Sequence, residues 1–330
     1  MKKWLSLGLS MILVLVLISC SFEQYPPITD KEALVLTVNI KDMTVTFLDI
    51  DSGKKIDEWQ MDKPYIGGLI LPDGDSLLLY GKQLETVDLY SLKLGKKFSS
   101  WNTGKGITNG ILMKNQKEIA FADQSRHAIR FFTLSGKEKK SIRTDNNPLT
   151  LLEEQRKNQL YIISYRSGSM TVVDTERKKK IRSFPIHSSA AGALLREEKN
   201  EIWIGGHGEG SEIGTLIYVY QTGTGELLKT IEAPLMPINF THKGENVYAL
   251  SHGSSTLYQL NTDGKIIGSA KVGANPFEMK VMDNYIIIAG YDSDDVSLVD
   301  FDTLKIEKAI QVGKGPFQLI LRERISNEQH

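Results

Sequence analysis

One cysteine, Cys20, occurs in 330 residues, so no internal disulfide can form. The 40 basic residues are matched by 40 acidic ones. The chain therefore lacks the strongly basic balance that marks nucleic-acid binding, and no nucleic-acid partner is expected. Long apolar runs are scarce. The longest, residues 5–18, covers 14 residues, fewer than the roughly 20 needed to cross a hydrocarbon core of about 30 Å. Beyond it, no stretch shows a sustained helical period with caps. Residues 151–157 are helix-prone but too short to stand alone, and read as a strand end plus turn. Gly-x-Ser-x-Gly, His-Glu-x-x-His and Walker-type loops are all missing.

What is present is a repeat. Seven times a β-type run ends in a polar turn and a new strand follows: residues 49–54, 88–91, 133–137, 174–178, 221–225, 261–265 and 300–303. From Asp49 to Asp300 the spacing averages about 42 residues, the period of a four-stranded propeller blade. A blade cannot bury both faces alone, so blades must stack and close into a ring. The expected fold is all-β: a seven-bladed β-propeller of four-stranded antiparallel blades, closed by N- and C-terminal strands in one blade. Residues 33–39 have no innermost partner nearby in sequence, which predicts pairing with residues 317–322.

The last repeat shows the pattern most clearly. Tyr285, Ile286, Ile287, Ile288 and Ala289 are apolar throughout, as a strand buried on both sides should be. Small residues recur where innermost strands crowd the axis: Gly67-Gly68, Asn109-Gly110 and residues 190–193. Residues 272–277 (Val-Gly-Ala-Asn-Pro-Phe) and 312–317 (Val-Gly-Lys-Gly-Pro-Phe) resemble the "vG.nP" strand opening of the YVTN/YncE-like propeller repeat family. Residues 285–288 stand where that family has its Tyr-Val-Thr-Asn strand, and residues 296–300 resemble its "VsviD" strand. The match is good over the last two repeats and loose elsewhere; Thr133 and Gln221 replace the turn Asp. The resemblance implies a seven-bladed ring. It implies no single activity, because related rings serve as binding scaffolds, lactonases and electron-transfer subunits.

The first residues read as an export signal. Lys2 and Lys3 precede the apolar run, which ends in Leu17-Ile18-Ser19-Cys20. This resembles the lipobox of bacterial lipoproteins. The resemblance implies cleavage before Cys20 and a diacylglyceryl group on its thiol. The expected division is a signal peptide over residues 1–19, a lipidated tether over 20–32, the ring over 33–325 and a disordered tail over 326–330. The expected location is the outer side of the cell membrane, with the protein held as a lipid-anchored monomer.

Candidate functional residues come from loop placement. Successive strands of a meander run in opposite directions, so second-to-third and fourth-to-first loops share one face of the ring. That face is expected to gather Tyr165, Arg166, His187, His207, Glu209, His252, Tyr291 and Asp292 around the channel mouth. His127 falls on the same face, two blades away. Three imidazoles on neighbouring blades are a ligand type of zinc and copper, yet polar loop residues are commonplace, and no metal or other cofactor is expected. Asp292, Asp294 and Asp295 resemble a calcium loop, but Thr303 stands where an EF-hand needs Glu, so a solvated turn is expected. The glycines within residues 205–210 read as a long hairpin loop, not a phosphate cradle, because no helix follows. The opposite face offers Lys, Asp and Gly turns that suit solvent. Binding of an envelope protein, cell-wall polymer or small ligand is the expected role. A lactonase-like hydrolase and a metal- or redox-linked subunit are the alternatives.

Overall fold

In the computed structural model, residues 24–29, 33–209 and 211–323 are described; Cys20, the expected signal and the expected tail lie outside them. The described residues form seven four-stranded antiparallel sheets. Blade 1 contains β1 (Leu34–Asn39), β2 (Thr44–Asp49) and β3 (Lys54–Gln60). Blade 2 contains β4 (Gly67–Ile70), β5 (Ser76–Tyr80), β6 (Thr86–Ser91) and β7 (Lys96–Asn102). Blade 3 contains β8 (Ile107–Leu112), β9 (Glu118–Asp123), β10 (Ala128–Thr133) and β11 (Glu138–Arg143). Blade 4 contains β12 (Pro148–Glu154), β13 (Gln159–Ser164), β14 (Ser169–Asp174) and β15 (Lys179–Pro185). Blade 5 contains β16 (Ala190–Arg196), β17 (Glu201–Gly206), β18 (Leu216–Gln221) and β19 (Leu227–Glu232). Blade 6 contains β20 (Pro237–Lys243), β21 (Asn246–Ser251), β22 (Thr256–Leu260) and β23 (Ile266–Lys271). Blade 7 contains β24 (Pro276–Met282), β25 (Tyr285–Gly290), β26 (Asp295–Asp300) and β27 (Ile306–Gln311). The last strand, β28 (Pro316–Arg322), returns to blade 1 as its innermost strand.

The closing register pairs Leu36 with Ile320 and Val38 with Gln318, as the unpaired first strand predicted. The innermost strands touch in the order β28, β4, β8, β12, β16, β20, β24 and back to β28. The helix-prone segment is the end of β12 followed by a single 3-10 turn, Gln155–Lys157.

Period-two alternation sends each middle strand's side chains into two different cores. Leu36 and Phe47 of blade 1 pack with Leu77 and Leu79 of blade 2. Their neighbours Val35 and Leu48 pack with Ile287 and Leu298 of blade 7. The cores thus lie between blades, each worth about 1.5–3 kcal/mol per buried large aliphatic side chain. The closing strand joins both, with Ile320 in the first and Leu319 in the second.

The segment expected to be tether does not stand clear of the ring. Ile28 is buried, and its amide donates to the Leu92 carbonyl at 2.8 Å. The Tyr25 amide donates to the Gly95 carbonyl at 2.6 Å, and the Tyr25 ring stacks on Trp59 at 4.8 Å. Trp59 Nε1 donates to the Pro26 carbonyl at 3.1 Å. Gly95 adopts a left-handed φ of 58°, and any Cβ there would overlap the Tyr25 carbonyl. Proline-rich composition alone suggested a free linker; the Tyr25–Trp59 stack is what seats it at the junction of blades 1 and 2.

A candidate binding mouth built from the long loops

The loops of the predicted face meet as one arc of rings. Arg166, in the β13–β14 turn at φ 58°, holds its guanidinium 5.1 Å from the Tyr165 ring centre. Tyr165 meets His207 edge to face at 6.4 Å. His207 meets His252 at 5.4 Å, and His252 meets Phe277 at 4.8 Å. Phe277 then contacts Tyr291 at 5.6 Å and Phe317 at 5.0 Å. Lys41, from the β1–β2 loop, closes the far end with its ammonium 4.2 Å from the Tyr291 ring centre. Lys41 also donates to Asp292 at 2.8 Å, which holds that carboxyl below its ordinary range. The arc spans blades 4 to 7 and blade 1, with a cation at each end.

Beside Tyr165 and His207 opens a cavity of about 570 Å³. Arg166, Ser188, Ser189, Glu209 and Met236 complete much of its wall. The loop between β17 and β18 supplies most of one side, so the glycine-containing hairpin acts as a wall and not as an anion cradle. Glu209 accepts a hydrogen bond from the Ser188 hydroxyl.

Seven of the eight expected face residues fall along the arc or its cavity. His187 does not. Its ring stacks on Tyr218 of β18 at 4.0 Å, and both its ring nitrogens are buried without a partner. Burial depresses its pKa to about 4. Loop class did not foresee that the Tyr218 stack would hold His187 out of the arc of rings. The pair that does meet, His207 and His252, is asymmetric. His252 Nδ1–H donates to the Pro276 carbonyl at 3.2 Å, so a neutral His252 ring leaves Nε2 without a proton. Burial, reinforced by His252 and Arg166, lowers the pKa of His207. Among the described residues no group of three His, Cys, Asp or Glu side chains is placed to hold a metal. The aspartates of the β25–β26 turn each face a protein partner: Asp292 Lys41, Asp294 the Gly315 amide, and Asp295 Ser293.

Phe277, Phe317 and Lys41 were not singled out from sequence. The two phenylalanines follow the proline of the two "vG.nP" motifs. Each is skipped in the pairing register: Pro276 and Glu278 face Gly290 and Ala289, and Pro316 and Gln318 face Asn39 and Val38. A β-bulge of this kind re-aims the extra side chain, here into the mouth. The motif was a visible signal; the bulge that gives it meaning was not.

The fold defines the chain as a seven-bladed β-propeller, and solved structures agree. It superposes on a functionally unknown protein from Desulfotomaculum acetoxidans with a TM-score of 0.72 at 11% identity, covering 87% of this chain and 98% of that one. Hydrazine synthase of Kuenenia stuttgartiensis gives 0.72 at 14% identity over 87% and 99%. Apo AztD from Citrobacter koseri gives 0.60 at 12% over 88% and 98%. At these identities the likeness shows the fold alone. No protein-family profile matches the chain, and no curated protein matches it by sequence.

Proposed function

We propose that this propeller is a lipid-anchored, extracytoplasmic binding protein of the YVTN-type repeat class, and that its partner docks across the aromatic mouth. The partner is an envelope protein, a cell-wall polymer or a small ligand, and the protein acts as a monomer. The observation that carries the reading is the contiguous arc from Tyr165 to Tyr291. It combines aromatic faces, two imidazoles and flanking cations on rigidly held loops, the chemistry in which binding energy concentrates. The open cavity beside it supplies depth for an anchoring group.

The mouth is tested by photo-crosslinking in intact cells from positions 165 and 291, followed by affinity measurement with the captured partner. Tyr165→Ala, Arg166→Ala and Tyr291→Ala are each expected to weaken capture about tenfold, the scale of a binding hot spot, with melting unchanged. Lys54→Ala and Lys265→Ala, on the opposite face, are expected to change it little. Equal losses from the two faces overturn the assignment.

The anchor is supported by the lipobox-like ending of the apolar run and by the solitary Cys20. Two acyl chains would hold the protein stably, because each buried methylene contributes about 0.8 kcal/mol. Mass spectrometry of the native protein is expected to find Cys20 at the N-terminus carrying diacylglycerol. An unmodified Cys20 thiol sinks the anchor without touching the mouth.

A further inference from the structure

We infer that the face opposite the mouth is a membrane-contacting surface, on which the ring rests against an anionic bilayer. The inference deepens the anchor reading and rests on it for the protein's place in the cell, but the surface itself is visible in the outer strands. In every blade the pairing between the third and outermost strands skips one residue near the basal turn. The skipped residues include Ile56, Phe98, Ile181, Leu228 and Ile267, between 41% and 55% exposed. A bulge pushes its extra side chain out of the ladder. Here the same device, at the same place in five of the seven blades, pushes out a large apolar group. Edge strands ordinarily carry charge at such positions to discourage association. A recurring apolar girdle on an exposed edge marks a contact surface.

Charge identifies what the surface contacts. The chain is neutral as a whole, yet blades 2, 3 and 4 are not neutral at the base. Residues 92–98, 134–140 and 174–181 hold ten Lys and Arg against Glu138, Glu176 and Asp174, the last of them paired with Arg177. Glu138 is already engaged by the buried Arg130. Among the described residues Lys97, Lys137, Lys140, Lys179 and Lys180 face no carboxylate. Lysines beside exposed apolar side chains match an anionic headgroup layer over hydrocarbon.

The chain's own path points the same way. Gln24 pairs with Lys96, the first residue of β7, at the basal edge of blade 2. Four residues span at most about 14 Å, so a lipid carried on Cys20 would be tethered within that distance of Gln24. The mouth lies a strand length away, about 20 Å. An anchored ring therefore presents its mouth outward.

The test uses the chain from Ser21, which holds every described strand of the closed ring and no cysteine. It is floated with vesicles of phosphatidylglycerol or of phosphatidylcholine. Binding to the anionic vesicles is expected, weakened by salt. Lys97→Glu, Lys140→Glu, Lys179→Glu and Lys180→Glu together should reduce it more than about tenfold. Phe98→Ser with Ile267→Ser should also reduce it. A fluorophore on Leu94→Cys is expected to enter an apolar environment, and one on Asp292→Cys to stay in water; this pair decides the matter if the charge-reversed protein misfolds. Absence of a preference for phosphatidylglycerol, insertion of the mouth label, equal binding to soluble polyglutamate, or burial of the girdle in a dimer overturns the inference. Because this chain lacks Cys20, such a failure is separate from failure of the lipid anchor.

Discussion

A chain ending at Gly315 is expected to lose its cooperative fold. Truncation there removes β28, and with it the innermost strand of blade 1. Leu319 and Ile320, 1% and 4% exposed, belong to two different inter-blade cores. Arg322 also goes, although its guanidinium donates to the carbonyls of Gly74 at 3.3 Å and Thr29 at 2.5 Å. Two lost aliphatic side chains account for about 3–6 kcal/mol. The exposed edge of β1 and the open gap between blades 7 and 2 add to that. The sum approaches the 5–15 kcal/mol that holds a typical domain folded. Thermal melting followed by circular dichroism and limited proteolysis is the check. A truncated chain that melts cooperatively within a few degrees of the full one would show that the ring does not depend on its clasp.

The second large effect concerns a single glycine. Gly192 of β16 faces β20 of the next blade so closely that a Cβ would overlap the Ile238 carbonyl oxygen. The obstacle is backbone, so no side-chain rotation relieves it. Gly192→Val is expected to force blades 5 and 6 apart and to cost about 3 kcal/mol or more, the upper range for overpacking. Ile231, Phe240 and Val247 sit in the core between those blades and would be opened to water. Urea denaturation gives the number. A change below about 1 kcal/mol would mean that the inner strands slide apart freely, contrary to the crowding described at the axis. The small residues at this point in the repeat were readable in sequence, and at Gly192 the Ile238 carbonyl is the reason.

The blade was legible because its signals are local. Turn residues, apolar runs and a period near 42 depend on neighbours a few positions away. Pairing of the two chain ends was legible for a different reason: counting strands left one unmatched at each end. The mouth was legible only to the level of a face. Strand direction assigns each loop to one side of the ring, so His207, His252 and Tyr291 were grouped correctly. The same rule placed His187 with them, and the Tyr218 stack draws it away.

Sequence pattern was enough for the architecture: all-β, seven blades, a clasp of both termini, and which loops lie on which side. Tertiary structure alone decided which side chains meet there. Bulges at the inner strands turned Phe277 and Phe317 into the mouth, and bulges at the outer strands turned Ile56, Phe98 and Ile267 toward the outside. Nothing in the sequence marked those outer residues as outward-facing. The reason is physical: one extra residue in a ladder reverses which way a side chain points, and the register that admits it is set by the partner strand, not by the residue itself.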